Sequence, residues 1–91
     1  MFFKQNNNLS SLPDNELIER YRHSHDNKYV GHLYLKYTHL VLGLCLKYFK
    51  NEAVANDAVM DIFEVIVKEL KRHKVDNFKS WLYILSKNHC L

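Results

Sequence analysis

Turn-forming residues are scarce in this chain, and their scarcity constrains the fold more than any other feature. The 91 residues include two glycines and one proline, while 47% of the residues are hydrophobic. A chain with so few places to turn favours long helices joined by short connections. Its length also suits one domain near the lower size limit for independent folding. The sequence therefore predicts an all-α domain, a bundle of three to four helices.

Apolar residues that recur every three or four positions locate the first two helices. The first is predicted to begin near Leu12, with Ser11 or Asp14 as its cap, and to end around residues 24–27. The second spans about residues 27–49 and is the longest. Its apolar positions cover most of its circumference, which predicts the central helix of the bundle. These positions are Val30, Leu33, Tyr34, Leu35, Tyr37, Leu40, Val41, Leu42, Leu44, Leu46, Tyr48 and Phe49.

The same periodicity locates two further helices. The third is predicted from about Glu52 to Arg72, with a core-facing stripe made of Ala55, Ala58, Val59, Ile62, Phe63, Ile66, Val67 and Leu70. The fourth begins at Asp76 or Asn77 as its cap and carries on one face Phe78, Trp81, Leu82 and Leu85. Core packing is favoured for the two aromatic residues of this face. Tyr83 lies off the face and is predicted to be exposed.

The remaining residues indicate where such a protein works. Residues 1–11 are predicted to form a flexible polar leader, and residues 12–91 are predicted to form the helical domain. The leader lacks the basic start and the apolar core of a secretory signal, so we do not expect it to be one. No run of about 18 apolar residues is present, which excludes a membrane span. We therefore expect a cytoplasmic protein. Cys45 and Cys90 lie in apolar stripes without metal or redox spacing, which predicts reduced, buried thiols.

Charge is segregated along the chain, although the net charge is only +3. Residues 1–51 hold seven bases and four acids, residues 52–67 hold four acids and no base, and residues 68–91 hold six bases and two acids. Successive acidic and basic blocks suggest two partners of opposite charge, one of them a nucleic acid. Periodicity alone would favour an ordinary solvated face for the acids of the third helix. Solvated helices usually mix charges, however, so sixteen residues without a base argue for an interface.

Motifs for catalysis or metal binding are absent from the sequence. None of the six histidines forms the i, i+4 pair that binds zinc on a helix. No glycine-rich phosphate loop, nucleophile motif or clustered acid–base pair is present. The sequence therefore predicts a non-enzymatic protein that has no metal and no cofactor.

Three segments of the chain carry a resemblance. Residues 12–21 read LPDNELIERY, residues 55–63 read ANDAVMDIF, and residues 77–88 read NFKSWLYILSKN. In this order and at this spacing they resemble region 2 of the extracytoplasmic-function sigma factors of the sigma-70 family. There the second segment usually reads A-E-D-x-V-Q-E-x-F, and the third contains F-[KR]-x-W-L-x-x-[IL]-A-x-N. The resemblance implies an all-α promoter-melting domain.

The resemblance is to one branch of the family, and the sequence differs from the family pattern at several points. Residues 77–91 are similar to the Bacteroidetes branch of the family. Met60 stands where the family usually has Gln, which removes an expected polar contact, and Ser86 replaces the common Ala. The family normally carries a second, helix-turn-helix domain that reads the −35 element. Nothing in residues 1–91 resembles that domain, so we expect either a fragment or a naturally minimal relative.

The resemblance also implies two binding surfaces. The third helix would dock on the coiled coil of the largest RNA polymerase subunit through Asn56, Asp57, Met60, Asp61 and Glu64. The following loop and the start of the fourth helix would accept an unstacked base of the −10 element's non-template strand. Single-stranded DNA needs cations along its backbone and polar groups or pockets for its bases. The candidate DNA-binding residues are Lys71, Arg72, His73, Lys74, Asp76, Asn77, Lys79, Ser80 and Lys87.

These observations lead to an interpretation and two alternatives. The interpretation is a sigma factor domain for transcription initiation, for which an anti-sigma factor is a further partner left open. One alternative is a helical protein-interaction module that regulates a sigma factor without binding DNA. Single-stranded DNA binding with a steep salt dependence would distinguish the two. The other alternative, a helix-turn-helix protein that reads duplex DNA, is disfavoured because residues 73–76 lack the glycine common in its turn.

Overall fold

A computed structural model describes Leu9 and residues 11–91 of the chain. Within them lie five helices, which we number α1 to α5: Asp14–Ser24, Asn27–Leu35, Thr38–Phe49, Glu52–Arg72 and Phe78–Cys90. The described residues contain no strand. The all-α prediction is confirmed. The count rises to five because the second predicted helix consists of two.

The prediction of one continuous helix over residues 27–49 is wrong, because a two-residue turn, Lys36 and Tyr37, divides it into α2 and α3. The ammonium group of Lys36 donates to the Leu12 carbonyl at 2.7 Å and lies 3.0 Å from an Asp14 carboxylate oxygen. The Tyr37 hydroxyl donates to the other Asp14 oxygen. These contacts hold the turn between α2 and α3 against the start of α1. The apolar periodicity continues across so short a turn, which is why the sequence pattern conceals it.

The prediction that Ser11 or Asp14 caps the first helix is also wrong. The N-cap position is Pro13, and no side chain caps it. Its carbonyl accepts hydrogen bonds from the amides of Glu16 and Leu17, both at 3.1 Å. The Asp14 carboxylate is instead turned toward the α2–α3 turn, where it neutralises a half-buried lysine.

Helix α4 lies at the centre of the fold and packs against all four of the other helices. Its bounds match the prediction, and the Asn51 side chain caps it by accepting from the Val54 amide at 3.0 Å. The predicted stripe faces the core. Six of its members are buried, Ala55, Ala58, Val59, Ile62, Ile66 and Leu70, and Phe63 and Val67 pack against the core while partly exposed.

The central role predicted for residues 27–49 therefore belongs to α4. Within α3 only Val41 and Cys45 are buried, whereas 47% of Leu40, 36% of Leu46 and 37% of Tyr48 is exposed. The pattern was misleading because apolar coverage of a helix does not say how many neighbours pack against it. α3 lies at the periphery and keeps an uncovered apolar side.

The polar leader predicted for residues 1–11 lies largely outside the described residues. Leu9 is an exception, since it is buried with the core, and its carbonyl accepts from the Leu12 amide at 3.1 Å. Leu9 therefore belongs to the hydrophobic core. Among the described residues, no helix combines the length and apolar character needed to cross a membrane.

Candidate functional site

The acidic residues of α4 form one exposed face. Asn56, Asp57, Met60, Asp61 and Glu64 are all exposed and point away from the buried stripe of the helix; we call them the acidic face. No ion pair joins its three carboxylates to a base within the described part of the chain. Met60, 52% exposed, adds an apolar contact at its centre. The face thus offers uncompensated negative charge around an apolar side chain.

The basic residues gather at the opposite end of α4. Lys71 and Arg72 end the helix, and His73 and Lys74 open the connection to α5; all four are exposed. Val75 is buried, which anchors the middle of this connection to the core. We call residues 73–77 the basic loop. Together with the end of α4, this loop exposes cationic side chains on either side of the buried Val75.

Helix α1 holds the start of the basic loop through hydrogen bonds from Arg22. Nη1 of Arg22 donates to the carbonyls of Leu70 at 2.9 Å and His73 at 2.7 Å. The Leu70 carbonyl is among the last four of α4, which have no partner within the helix. A guanidinium group there also suits the negative end of the helix dipole. One turn earlier, the Tyr21 hydroxyl donates to the Val67 carbonyl at 2.7 Å.

The start of α5 combines a cap with exposed polar groups. The Asn77 side-chain oxygen accepts from the Ser80 amide at 3.1 Å and so caps the helix, as the sequence predicts for Asp76 or Asn77. The amide NH2 of Asn77 and the second lone pair of its oxygen remain for another partner. Asp76, Lys79 and Ser80 are exposed beside it. Of the polar groups predicted to contact DNA here, the Asn77 oxygen already has a structural use.

A concavity lies where the basic loop meets α1. It has a volume of about 240 Å³ and is lined by Asn15, Ile18, Glu19, Lys74, Val75 and Asp76. Sequence reasoning missed Asn15 and Glu19, which lie some 55 to 60 residues before the loop and look like ordinary solvated positions of an amphipathic helix. Only the packing of α1 under the loop brings their amide and carboxylate to this edge.

Comparison with known families decides what these surfaces belong to. Residues 33–91, well over half of the chain, match Sigma-70 region 2. The chain belongs to this family. Sigma-70 region 2 binds core RNA polymerase and recognises and melts the −10 promoter element, and it is not an enzyme. Searches of curated proteins and of solved structures found no match.

The match to Sigma-70 region 2 includes both surfaces but not all of the concavity. The acidic face and the basic loop lie inside residues 33–91, whereas α1 with Asn15 and Glu19 precedes them. This region 2 domain therefore presents its two surfaces on elements that the family match covers. The residues of α1 that line the concavity are an addition that only the structure makes visible.

Lys87 is separate from the other candidate DNA contacts of the region 2 domain. It is exposed on α5, eight residues after Lys79, which is about 12 Å along a helix axis. Lys79 itself borders a second, more apolar groove of about 480 Å³ between α3 and α5, together with Lys47 and Tyr83. Tyr83 is 56% exposed, as predicted.

The other aromatic residues of α5 are structural to different degrees. Phe78 is buried, and the centroid of its ring lies 5.7 Å from the ring centroid of Tyr37 and 5.9 Å from that of Trp81. The core position predicted for Phe78 is confirmed. Trp81 packs against the core, as predicted, but part of its side chain stays exposed.

Proposed function

We propose that this region 2 domain belongs to a sigma factor of the extracytoplasmic-function subfamily, of the Bacteroidetes type. We further propose that the protein is located in the cytoplasm. Its acidic face docks on the coiled coil of the largest polymerase subunit, and its basic loop reads an unstacked base of the −10 non-template strand. The observation that carries the proposal is the separation of an uncompensated acidic face from a cationic loop with an adjacent concavity. The resemblance of residues 12–21, 55–63 and 77–88 to the extracytoplasmic-function subfamily supports this assignment.

The polymerase contact rests on charge and exposure. Asp57, Asp61 and Glu64 have no basic partner among the described residues, so their charge is available to a basic surface. Burial of Met60 against such a partner would add apolar contact at the centre of a charged rim, an arrangement common in protein interfaces. Complementary charge also speeds association and selects the partner.

The reading of DNA rests on the basic loop and its concavity. Lys71, Arg72, Lys74 and Lys79 supply positive charge for a single-stranded backbone. The concavity offers polar groups of two kinds: the Asn15 amide can both donate and accept, while the carboxylates of Glu19 and Asp76 accept from exocyclic amino groups. Capture of an extruded base there favours the melted strand over the duplex, because a base in the stack cannot reach these groups.

An anti-sigma factor is the finer part of the partner proposal. The subfamily resemblance motivates it, and the exposed apolar residues of α3, Leu40, Leu46 and Tyr48, are compatible with a protein partner. A regulator of this kind is expected to compete with core polymerase for the domain.

Charge reversal tests the docking surface. Asp57→Lys or Asp61→Lys should each weaken binding to purified polymerase core by at least about tenfold, since close charge pairs at interfaces are worth several kcal/mol. Glu16→Lys is the matched control, because Glu16 is an exposed acid of α1 that makes only an i, i+4 pair with Arg20. Circular dichroism should show unchanged helicity in all three variants. Equal binding by the three would contradict the assignment.

A further inference from the structure

The two cysteines of the chain meet in the core. Cys45 lies on α3 and is fully buried, Cys90 is the last residue of α5 and is 8% exposed, and both are free thiols. Their sulfur atoms are 3.6 Å apart. The sequence predicted two buried thiols without redox spacing, because they lie 45 positions apart in the chain. The packing of α3 against α5 supplies the proximity that the spacing lacks.

We propose that Cys45 and Cys90 form a reversible intramolecular disulfide when the domain is exposed to a hydroperoxide. A disulfide requires its sulfur atoms at about 2.05 Å, so the two sulfur atoms must approach each other by roughly 1.5 Å. No third cysteine competes, since the chain contains two. The pair is thus a modification site built by the tertiary fold.

The reaction balances in two steps. The Cys90 sulfur first attacks the hydroperoxide, breaks its O–O bond and becomes a sulfenic acid, while one molecule of water or alcohol leaves. The Cys45 sulfur then attacks the sulfenyl sulfur, the S–S bond forms, the S–O bond breaks, and the Cys45 proton leaves with the oxygen as water. Two electrons pass from the thiols to the peroxide. A small thiol reductant reverses the change by thiol–disulfide exchange.

The order of the steps follows from the surroundings of each sulfur. Burial, followed by its contact with Cys90, raises the pKa of the Cys45 thiol to about 12, so Cys45 is protonated at neutral pH and shielded from solvent. Peroxides react with the thiolate form of cysteines. Cys90 is the less buried of the two, 8% exposed against 0% for Cys45, so it is the sulfur that a peroxide meets first. Cys45 is placed to resolve its sulfenic acid rather than to react first.

The bond would tie α3 to α5 around the closed loop of residues 45–90. Cross-linking a loop of this length restricts the unfolded chain, so the oxidised domain should melt at least about 10 °C above the reduced one. The cross-link would also fix the spacing of the two helices that form the apolar groove.

The test uses the 91-residue chain treated with hydrogen peroxide, with the free thiols counted after denaturation. The expected result is the loss of both thiols, a monomer on a non-reducing gel, a mass lower by about two hydrogens, the higher melting temperature, and full reversal by dithiothreitol. Cys45→Ala should instead accumulate a sulfenic acid on Cys90 that dimedone traps. Cys90→Ala should remain unmodified at Cys45.

Several outcomes would overturn the inference. Two protected thiols under peroxide that rapidly oxidises the urea-unfolded chain would show that the folded pair does not react. Disulfide-linked dimers, or sulfinic acid on Cys90 without a cross-link, would show that Cys45 does not resolve the reaction. If either alanine variant fails to fold, peptide mapping of the oxidised wild type decides the matter, because only a Cys45–Cys90 linked peptide supports the proposal.

Discussion

Arg22 on α1 donates a hydrogen bond to the backbone carbonyl of His73, 51 residues later in the chain, at 2.7 Å. The same nitrogen also binds the carbonyl of Leu70. The Arg22 side chain thus supplies a hydrogen-bond donor to a carbonyl at the end of α4 and fixes the backbone of His73, the first residue of the basic loop. The conformation of the loop is therefore a property of α1 as well as of the loop's own sequence.

Arg22→Ala should lower the free energy of unfolding by about 1–3 kcal/mol, because the variant lacks the hydrogen bonds from a charged donor at a helix end. Arg20→Ala is the control: Arg20 makes only an exposed i, i+4 pair at 3.8 Å, worth about 0.5 kcal/mol or less. Urea unfolding measures both. A decrease no larger for Arg22 than for Arg20 would mean that α4 and the loop keep their conformation without it.

The burial of two neighbouring aromatic residues predicts unequal mutational costs. Phe78→Ala should destabilise the domain by about 3–5 kcal/mol, the usual cost of emptying a buried aromatic site. Trp81→Ala should cost less, about 1–3 kcal/mol, because part of its ring already contacts water. Thermal or urea unfolding checks the order. The reverse order would place Trp81, rather than Phe78, at the centre of the α5 contact.

Two classes of substitution in and beside the basic loop should separate backbone contacts from base recognition. Lys74→Ala or Lys79→Ala should weaken binding to all −10 sequences alike and lower the salt slope by about 0.7 for each phosphate that the variant no longer neutralises. Asp76→Ala or Ser80→Ala should relax discrimination among −10 sequences and leave the salt slope unchanged. The assay measures the affinity of the complex with core polymerase for forked promoter DNA at a series of salt concentrations. Identical behaviour of the classes would remove the case for base reading.

Asn77 needs its own substitution, because its oxygen caps α5. Asn77→Ala would remove the cap, at about 1 kcal/mol, as well as the amide NH2. Asn77→Ser keeps a capping oxygen and removes only the amide. If the NH2 contacts a base, Asn77→Ser should alter −10 discrimination at nearly unchanged melting temperature. Wild-type discrimination by Asn77→Ser would restrict Asn77 to capping.

The clamp at Asp14 predicts a dependence of stability on alkaline pH. The hydrogen bond to Asp14, then burial and the nearby negative charge, raise the pKa of Tyr37 from 10.0 to about 12. The folded state therefore holds this proton more tightly than the unfolded state, so its contribution is complete below pH 10 and disappears as the pH rises toward 12. Tyr37→Phe should be less stable at pH 8 but lose less stability between pH 10 and 12. Unfolding in urea at a series of pH values measures the difference; parallel curves would contradict it.

Much of the fold was accessible from periodicity. The bounds of α4, its buried stripe, the Asn77 cap and the exposure of Tyr83 all follow from local patterns. The turn at Lys36 was not accessible, because it depends on Asp14, which is distant in the sequence. The same limit applies to the concavity and to the cysteine pair, since periodicity assigns each helix a face but not the helix that covers it.

The location of the two candidate surfaces could be predicted only in part. Segregated charge indicated an acidic face and a basic end, and every candidate residue on them is exposed. Charge patterning could not foresee that Asn15 and Glu19 border the basic loop. These details arise from hydrogen bonds and helix docking, which a single sequence does not encode in any local pattern.

The hydrogen bonds from α1 to α4 and the basic loop join residues 46 to 51 positions apart. In contrast, only two residues connect α1 to α2. Such an arrangement favours local opening in which α1 and α2 detach as one cooperative unit while α3, α4 and α5 stay folded. Native-state hydrogen exchange would then find a lower opening free energy for the amides of α1 and α2 than for those of α4. One wall of the concavity is on α1, so each such opening also dismantles the proposed base-binding place. Under the proposed function, the lifetime of the α1–α4 contact would therefore set an upper limit on how long an extruded base is held.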